Sequence, residues 1–328
     1  MLHPDFAHLL LSGIAVTQAL ATIRMDLHHP GRPIIHHYAT VRPVLCVRQP
    51  EAFLIRACAR FVSLVLALSS VSTSAQVRPS LPPAQIVNQM VEAETAAKEK
   101  RQHFLYKREE RSARTKGHLW DELVVETTEG RMHRLIAVDG KPLSSSEQAA
   151  EDKRITYLVN HPADFRREAQ GRKDDEARMA DLLRELPKLF LLQTAGSDGD
   201  CTRINFAPNP QFQEASFQDR VVHAMSGVLL IHPTDKRLCG IAAHLDHGVE
   251  FGFGLLGKVS DQSHFSIVRQ EVSPGEWKTT KIRVHVDGSI LLMKSVSRDE
   301  DASHFGFKLI PHDLTLPQAA ALVRSATF

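Results

Sequence analysis

Residues 279–295, TTKIRVHVDGSILLMKS, alternate apolar and charged side chains with a period of two, which an extended strand satisfies and a helix does not. Ile282, Val284 and Val286 fall on one side and Lys281, Arg283 and His285 on the other. Asp287-Gly288 then fits a two-residue hairpin turn. A strand with one apolar face needs neighbouring strands and a second layer to bury it. Further segments read the same way at 202–206, 227–231, 238–245, 249–253, 265–272, 289–296 and 305–310. Earlier in the chain, 104–110, 119–128 and 131–138 are strand-like, with a turn at Asp139-Gly140.

Helical spacing interrupts this pattern. Pro82-Pro83 can start a helix carrying Ile86, Val87, Met90, Val91 and Ala97 on one face. Ser144 and Glu147 fit a capping box ahead of Ile155, Leu158 and Val159, and Pro162 ends or kinks that helix. Met179, Leu182, Leu183 and Leu186 make the clearest amphipathic helix, whereas the polar run 166–176 reads as a solvated stretch and TAGSDGD, 194–200, as a loop. A short last helix starts near Pro317. The sum is an α+β fold: a large, curved, mostly antiparallel sheet with inserted helices.

The first part of the chain has a different character. Arg56 and Arg60 precede an apolar run, 61–71, and the small residues of STSAQ follow. This is the order of a secretory signal, with cleavage expected after Ala75 and the signal occupying 52–75. The run is too short to span a bilayer, and Cys58, ahead of it, is not a lipid-attachment site. Residues 1–51 carry His28-His29 and His36-His37 without sustained periodicity. A His-rich tract can bind metal, but the plainer reading is a non-native or disordered extension, with translation starting near Val47 or Leu54. The working protein is then a single domain, 76–328, exported to the periplasm.

Removing residues 1–75 leaves 34 basic and 35 acidic groups, and no basic stripe that would engage nucleic acid. Two cysteines remain, Cys201 and Cys239. In an oxidising compartment they can pair, though sequence does not fix their separation.

VEFGFGLLG places Gly252, Gly254 and Gly257 in G-x-G-x-x-G spacing, but a polar loop and another strand follow where a pyrophosphate site needs a helix. No dinucleotide or other cofactor is expected. Glycines in a strand mark a bend or a close approach; Phe251 and Phe253 would then present two rings on the opposite face. G-x-S-x-G, P-loop, Cys-x-x-Cys and H-E-x-x-H patterns do not occur. HLDHG brings His244, Asp246 and His247 near one another, but a strand puts His247 on the other face. No metal site is expected from them.

Three strings, SGVLLIHPTDKRLCGI (226–241), FGFGLLG (251–257) and EWKTTKIRVHVDGSILLMKS (276–295), taken with the order of elements, resemble the LolA-like lipoprotein-carrier superfamily over residues 82–316. The resemblance implies an incomplete β-barrel with a helical lid over an apolar cavity that shelters acyl chains. This chain departs from the pattern in the extra material around 144–200 and in His232, where such proteins often carry an acid. The resemblance does not place the family's functional arginine on any one residue here.

The expectation is a non-catalytic periplasmic protein that binds lipid or lipidated protein. Phe251, Phe253, Leu255, Leu256 and Trp277 would line the concavity, against the plainer reading of each as core packing. Two alternatives stand beside it. One is an envelope module whose edge strands recruit a protein partner; the other is a periplasmic enzyme with a scattered site around His244 and Asp246.

Overall fold

A computed structural model describes residues 81–214, 217–251, 257–290 and 294–328. The expected extension, signal and cleavage site lie outside these residues.

The chain opens with α1 (Pro83–Glu99), where Pro83 takes the first helical position at no hydrogen-bond cost. Three antiparallel strands follow: β1 (His103–Ser112), β2 (Trp120–Glu126) and β3 (Arg131–Val138). Asp139 and Gly140, both at positive φ, turn the chain into the short β4 (Lys141–Pro142). Next comes α2 (Ser145–Asn160), whose N-terminus is closed by both bonds of the expected capping box between Ser144 and Glu147.

The helix α3 (Pro162–Leu189) runs 28 residues. It includes the polar run 166–176, whose described side chains are mostly exposed or half-exposed. Side chains one turn apart support it there: Arg172 meets Glu168 at 3.4 Å and Gln170 donates to Asp174 at 2.7 Å.

The second half is a meander of β5 (Phe190–Asp198), β6 (Cys201–Pro208), the short helix α4 (Phe217–His223), β7 (Met225–Ile231), β8 (Leu238–Leu245), β9 (Val249–Phe251), β10 (Gly257–Val259), β11 (His264–Ser273), β12 (Glu276–Ile290) and β13 (Lys294–Ile310). The closing helix α5 (Leu316–Ser325) carries a Thr315–Gln318 capping box.

Two expectations are corrected here. The supposed loop at 194–200 is mostly strand, because Thr194, Ser197 and Asp198 continue the pairing of β5 with β6. Asp287-Gly288 is not a turn: Asp287 pairs with Ser297 and Gly288 with Val296 in the middle of the ladder. Gly288 is needed for a different reason, since a Cβ there would sit 2.6 Å from the carbonyl of Lys258 on β10, which pairs with the other edge of β12.

The thirteen strands among the described residues form one antiparallel sheet in the order β4-β3-β2-β1-β13-β12-β11-β8-β7-β6-β5, with β9 and β10 attached through β12. The sheet is open and does not close into a barrel. Following paired residues across it defines an inner face. That face carries Phe206, Leu229, Ile241, Phe265 and Val284 at one end and Phe104, Tyr106, Arg108 and Glu122 at the other.

Helices cover opposite faces at opposite ends. On the inner face, Val87 and Met90 of α1 and Leu182, Leu183 and Leu186 of α3 pack onto β5–β8, β11 and β12. On the outer face, Ile155 and Leu158 of α2 and Ala319, Ala320 and Val323 of α5 pack onto Leu105, Leu123, Val125 and Met132. Passing between them, α3 lays Phe165 and Ala169 against Gly130 at the β2–β3 turn, too close to admit any side chain there.

Candidate functional site

The inner face has an apolar half and a charged half. The apolar half is filled by the chain's own helices, and Glu94 anchors one of them. From α1 the Glu94 carboxylate accepts from Arg237 Nε at 3.0 Å and Nη2 at 3.2 Å, from Arg269 Nη1 at 2.6 Å and from the Leu238 N–H at 2.9 Å. Burial pushes its pKa up, but Arg269, Arg237 and the Leu238 N–H outweigh that and hold it below the usual carboxylate range.

The charged half begins where β1, β2 and β3 carry Arg108, Glu110, Glu122, Glu126, Arg131 and His133 inward. Glu110 and Glu122 are each only 3 % exposed, and a carboxylate that deep must be paired. Arg114 supplies this, its Nη2 lying 2.6 Å from Glu110 and 2.8 Å from Glu122, with Arg108 against Glu110 as well. Lys278 Nζ meets Glu126 at 2.8 Å, and Arg131 and Arg101 both lie 3.4 Å from Glu176 on α3.

Two histidines in this region are held neutral. Burial, with Arg108, Arg172, Arg114 and Arg131 around it, keeps His133 well below its ordinary pKa. Burial likewise lowers His304 to about 4 against an opposing hydrogen bond to the Thr279 carbonyl. These paired charges fix strands and helices to one another.

The sheet's two edges are treated differently. At the β3 edge, β4 covers Ala137 and Val138. Beyond them α2 takes over: Glu151 accepts the Leu135 N–H at 2.9 Å and Arg154 donates to the His133 carbonyl at 2.5 Å. At the other edge, β5 pairs with β6 alone among the described strands. Its residues 193–198 are exposed and Leu191 is 56 % exposed. Alternate backbone groups along β5 therefore point away from the sheet.

Of the residues singled out from sequence, Phe251 ends β9, beside Val249, which is buried in the main core. Phe253, Leu255 and Leu256 lie outside the described residues. Trp277 stands apart from that strand, its ring 5.3 Å from His232 at the β7–β8 turn and its carbonyl accepting from Arg269 at 3.0 Å. Cys201 and Cys239 are joined by a disulfide, Cα–Cα 6.7 Å, which ties β6 to β8 across the end of β7.

His244 and Asp246 meet at 3.2 Å, and Ser226 donates to the same aspartate at 2.5 Å. His247 turns away to a cleft of about 200 Å³ shared with Glu214, Arg220, Gly248, Val249 and Glu250. That is smaller than the roughly 300–1,000 Å³ of ordinary ligand sites. Sequence reasoning missed the Glu94 cluster and the capped β3 edge, because their members are separated by many residues and share no motif.

These features define a class: an α+β scaffold with an open antiparallel sheet, a filled apolar face and an edge strand that, among the described residues, pairs on one side only. No protein-family model matches the chain, and no curated protein matches it. Two solved structures are similar, a crystal structure of MucB in complex with MucA(peri) and the MucA/MucB complex of Pseudomonas aeruginosa. Each has 8 % sequence identity and a TM-score of 0.22, covering 68 % of this chain and 93 % of the other. A superposition that loose carries no argument about function.

Proposed function

We propose that this is an exported, non-catalytic binding module that recruits a protein partner by adding a strand to β5. The observation that supports this is the asymmetry of the edges: on β3 the Leu135 N–H and the His133 carbonyl are met by α2, while β5 pairs with β6 alone among the described strands and carries exposed side chains. An extended peptide laid along β5 would gain main-chain hydrogen bonds, with Leu191 as an apolar contact beside them. The test is photo-cross-linking in the periplasm of a producing bacterium, with the reactive group at Leu191 or, as a control, at Val268 in mid-sheet. A discrete protein adduct from position 191 and none from 268 is expected. Absence of an adduct from 191, 193 and 195 alike overturns the proposal.

A second reading, lipid or lipidated-protein binding with a LolA-like cavity, rests on one observation. The β9 strand ends at Phe251, two residues beyond Val249 of the main apolar cluster, and Phe253, Leu255 and Leu256 follow it within five residues of sequence. On this reading Phe253→Asp abolishes acyl-chain capture while far-UV circular dichroism is unchanged. Global unfolding of that variant makes Phe253 a core residue instead.

A further inference from the structure

Across the outer face of the sheet, three histidines far apart in sequence stand side by side. In the strand register His244 of β8 faces His264 of β11, His264 faces His285 of β12, and His285 faces Asp299 of β13. Directly opposite residues on antiparallel neighbours bring their Cβ atoms to about 4.5–5.5 Å, so the row is continuous. Ser226 of β7 extends it by pairing with His244. The row faces solvent, with His264 and His244 exposed and His285 half-buried.

Two of the three rings are held through Nδ1 by an oxygen acceptor. His285 Nδ1 lies 2.6 Å from Asp299 Oδ1, His264 Nδ1 lies 2.8 Å from the Gln262 carbonyl, and His244 Nε2 lies 3.2 Å from Asp246 Oδ1. A neutral imidazole places its proton on the nitrogen that faces an acceptor. The lone pairs of His264 and His285 therefore belong to Nε2. This is the arrangement that orients metal-ligating histidines, in which the nitrogen not bound to the ion donates to a carboxylate or a backbone carbonyl.

The spacing agrees. Two imidazoles sharing one tetrahedral ion at about 2.0–2.1 Å have ring centres roughly 5 Å apart. The centroids of His264 and His285 are 5.3 Å apart. Among the described residues no three side chains already converge on one point. The ready-made part is thus the His264–His285 pair, with exposed His244 the nearest third ligand and solvent in the remaining positions.

The geometry points to a divalent transition-metal site of the zinc class on the outer face, built on His264 and His285, oriented by Asp299 and Gln262, and supplemented by His244. Imidazole ligands and an oxygen-rich surround suit Zn²⁺, Ni²⁺ and Cu²⁺ and disfavour Ca²⁺ and Mg²⁺. Such an ion would cross-link β8, β11 and β12 and leave coordination positions open on the surface.

The test is calorimetric titration of Zn²⁺ at pH 7.5 into the full chain and into its His264→Ala/His285→Ala variant. His28-His29 and His36-His37 are present in both and cancel in the comparison. The expected result is a saturable site of unit stoichiometry that the variant lacks, and a dissociation constant raised about 10- to 100-fold in Asp299→Asn, where both ligands remain and only the orienting carboxylate changes. Circular dichroism of the variants checks that they fold. Equal zinc binding by wild type and the double variant, or no saturable binding by the wild type, overturns the assignment.

Discussion

Replacing Glu94 by alanine removes the carboxylate that four donors converge on and leaves the guanidinium groups of Arg237 and Arg269 largely out of water, with side chains 11 % and 16 % exposed. Deleting one partner of a buried ion pair costs about 3–5 kcal/mol, because the remaining charge stays desolvated. Arg237 keeps the Gly275 carbonyl and Arg269 keeps the Trp277 carbonyl, which places the loss near the lower end, about 3 kcal/mol. The assay is urea unfolding followed by circular dichroism and by tryptophan fluorescence, to which Trp277 contributes beside this cluster. The triple variant Glu94→Met/Arg237→Met/Arg269→Met recovers much of the loss, since it leaves no buried charge behind. The wild-type cluster also has an acid limb. With the folded pKa of Glu94 lowered, its contribution is present above the unfolded carboxylate value and disappears as pH falls through the depressed one. A Glu94→Ala change smaller than about 0.5 kcal/mol, the ordinary range for surface substitutions, refutes the view that this cluster holds α1 on the sheet.

Two more effects follow from the same geometry. His304, lowered from 6.5 to about 4, binds its proton more readily in the unfolded chain. Stability is therefore complete above about pH 6.5 and falls by up to roughly 3 kcal/mol as pH drops toward 4; His304→Gln flattens that limb of a pH series of unfolding midpoints. Reducing the Cys201–Cys239 bond, which closes a loop of sequence separation 38, costs at most about 4 kcal/mol on the chain-entropy account, read as a lower midpoint with dithiothreitol present and no change in Cys201→Ser/Cys239→Ser.

Local signals in the sequence carried most of the architecture. The alternation of Ile282, Val284 and Val286, the capping residues Ser144 and Glu147 and the turn at Asp139-Gly140 each act within a few residues, and each element forms where its own pattern puts it. Errors arose where distant pairing overrode local chemistry. Asp287-Gly288 has the composition of a hairpin turn, yet β10 and β13 pair on either side of it and keep it extended. Thr194 to Asp198 look like a loop until β6 extends them into strand. The polar run 166–176, read only as solvated, is helical with contacts one turn apart, and no apolar periodicity announced the helix there. Site residues were the least legible part. His244 was singled out with Asp246, which it does meet, but no sequence signal pointed to His264 beside it or to His285 one strand further, which register alone brings into the row.

The central claim is that the chain fills its own apolar face and offers a free sheet edge instead of a lipid cavity. The most direct measurement is native mass spectrometry of the protein expressed from the full sequence in a bacterium, recovered from the periplasm and purified without detergent, before and after organic extraction. The account predicts the bare protein mass in both spectra. A stoichiometric acyl species that disappears on extraction contradicts it and makes Phe253 the first residue to change.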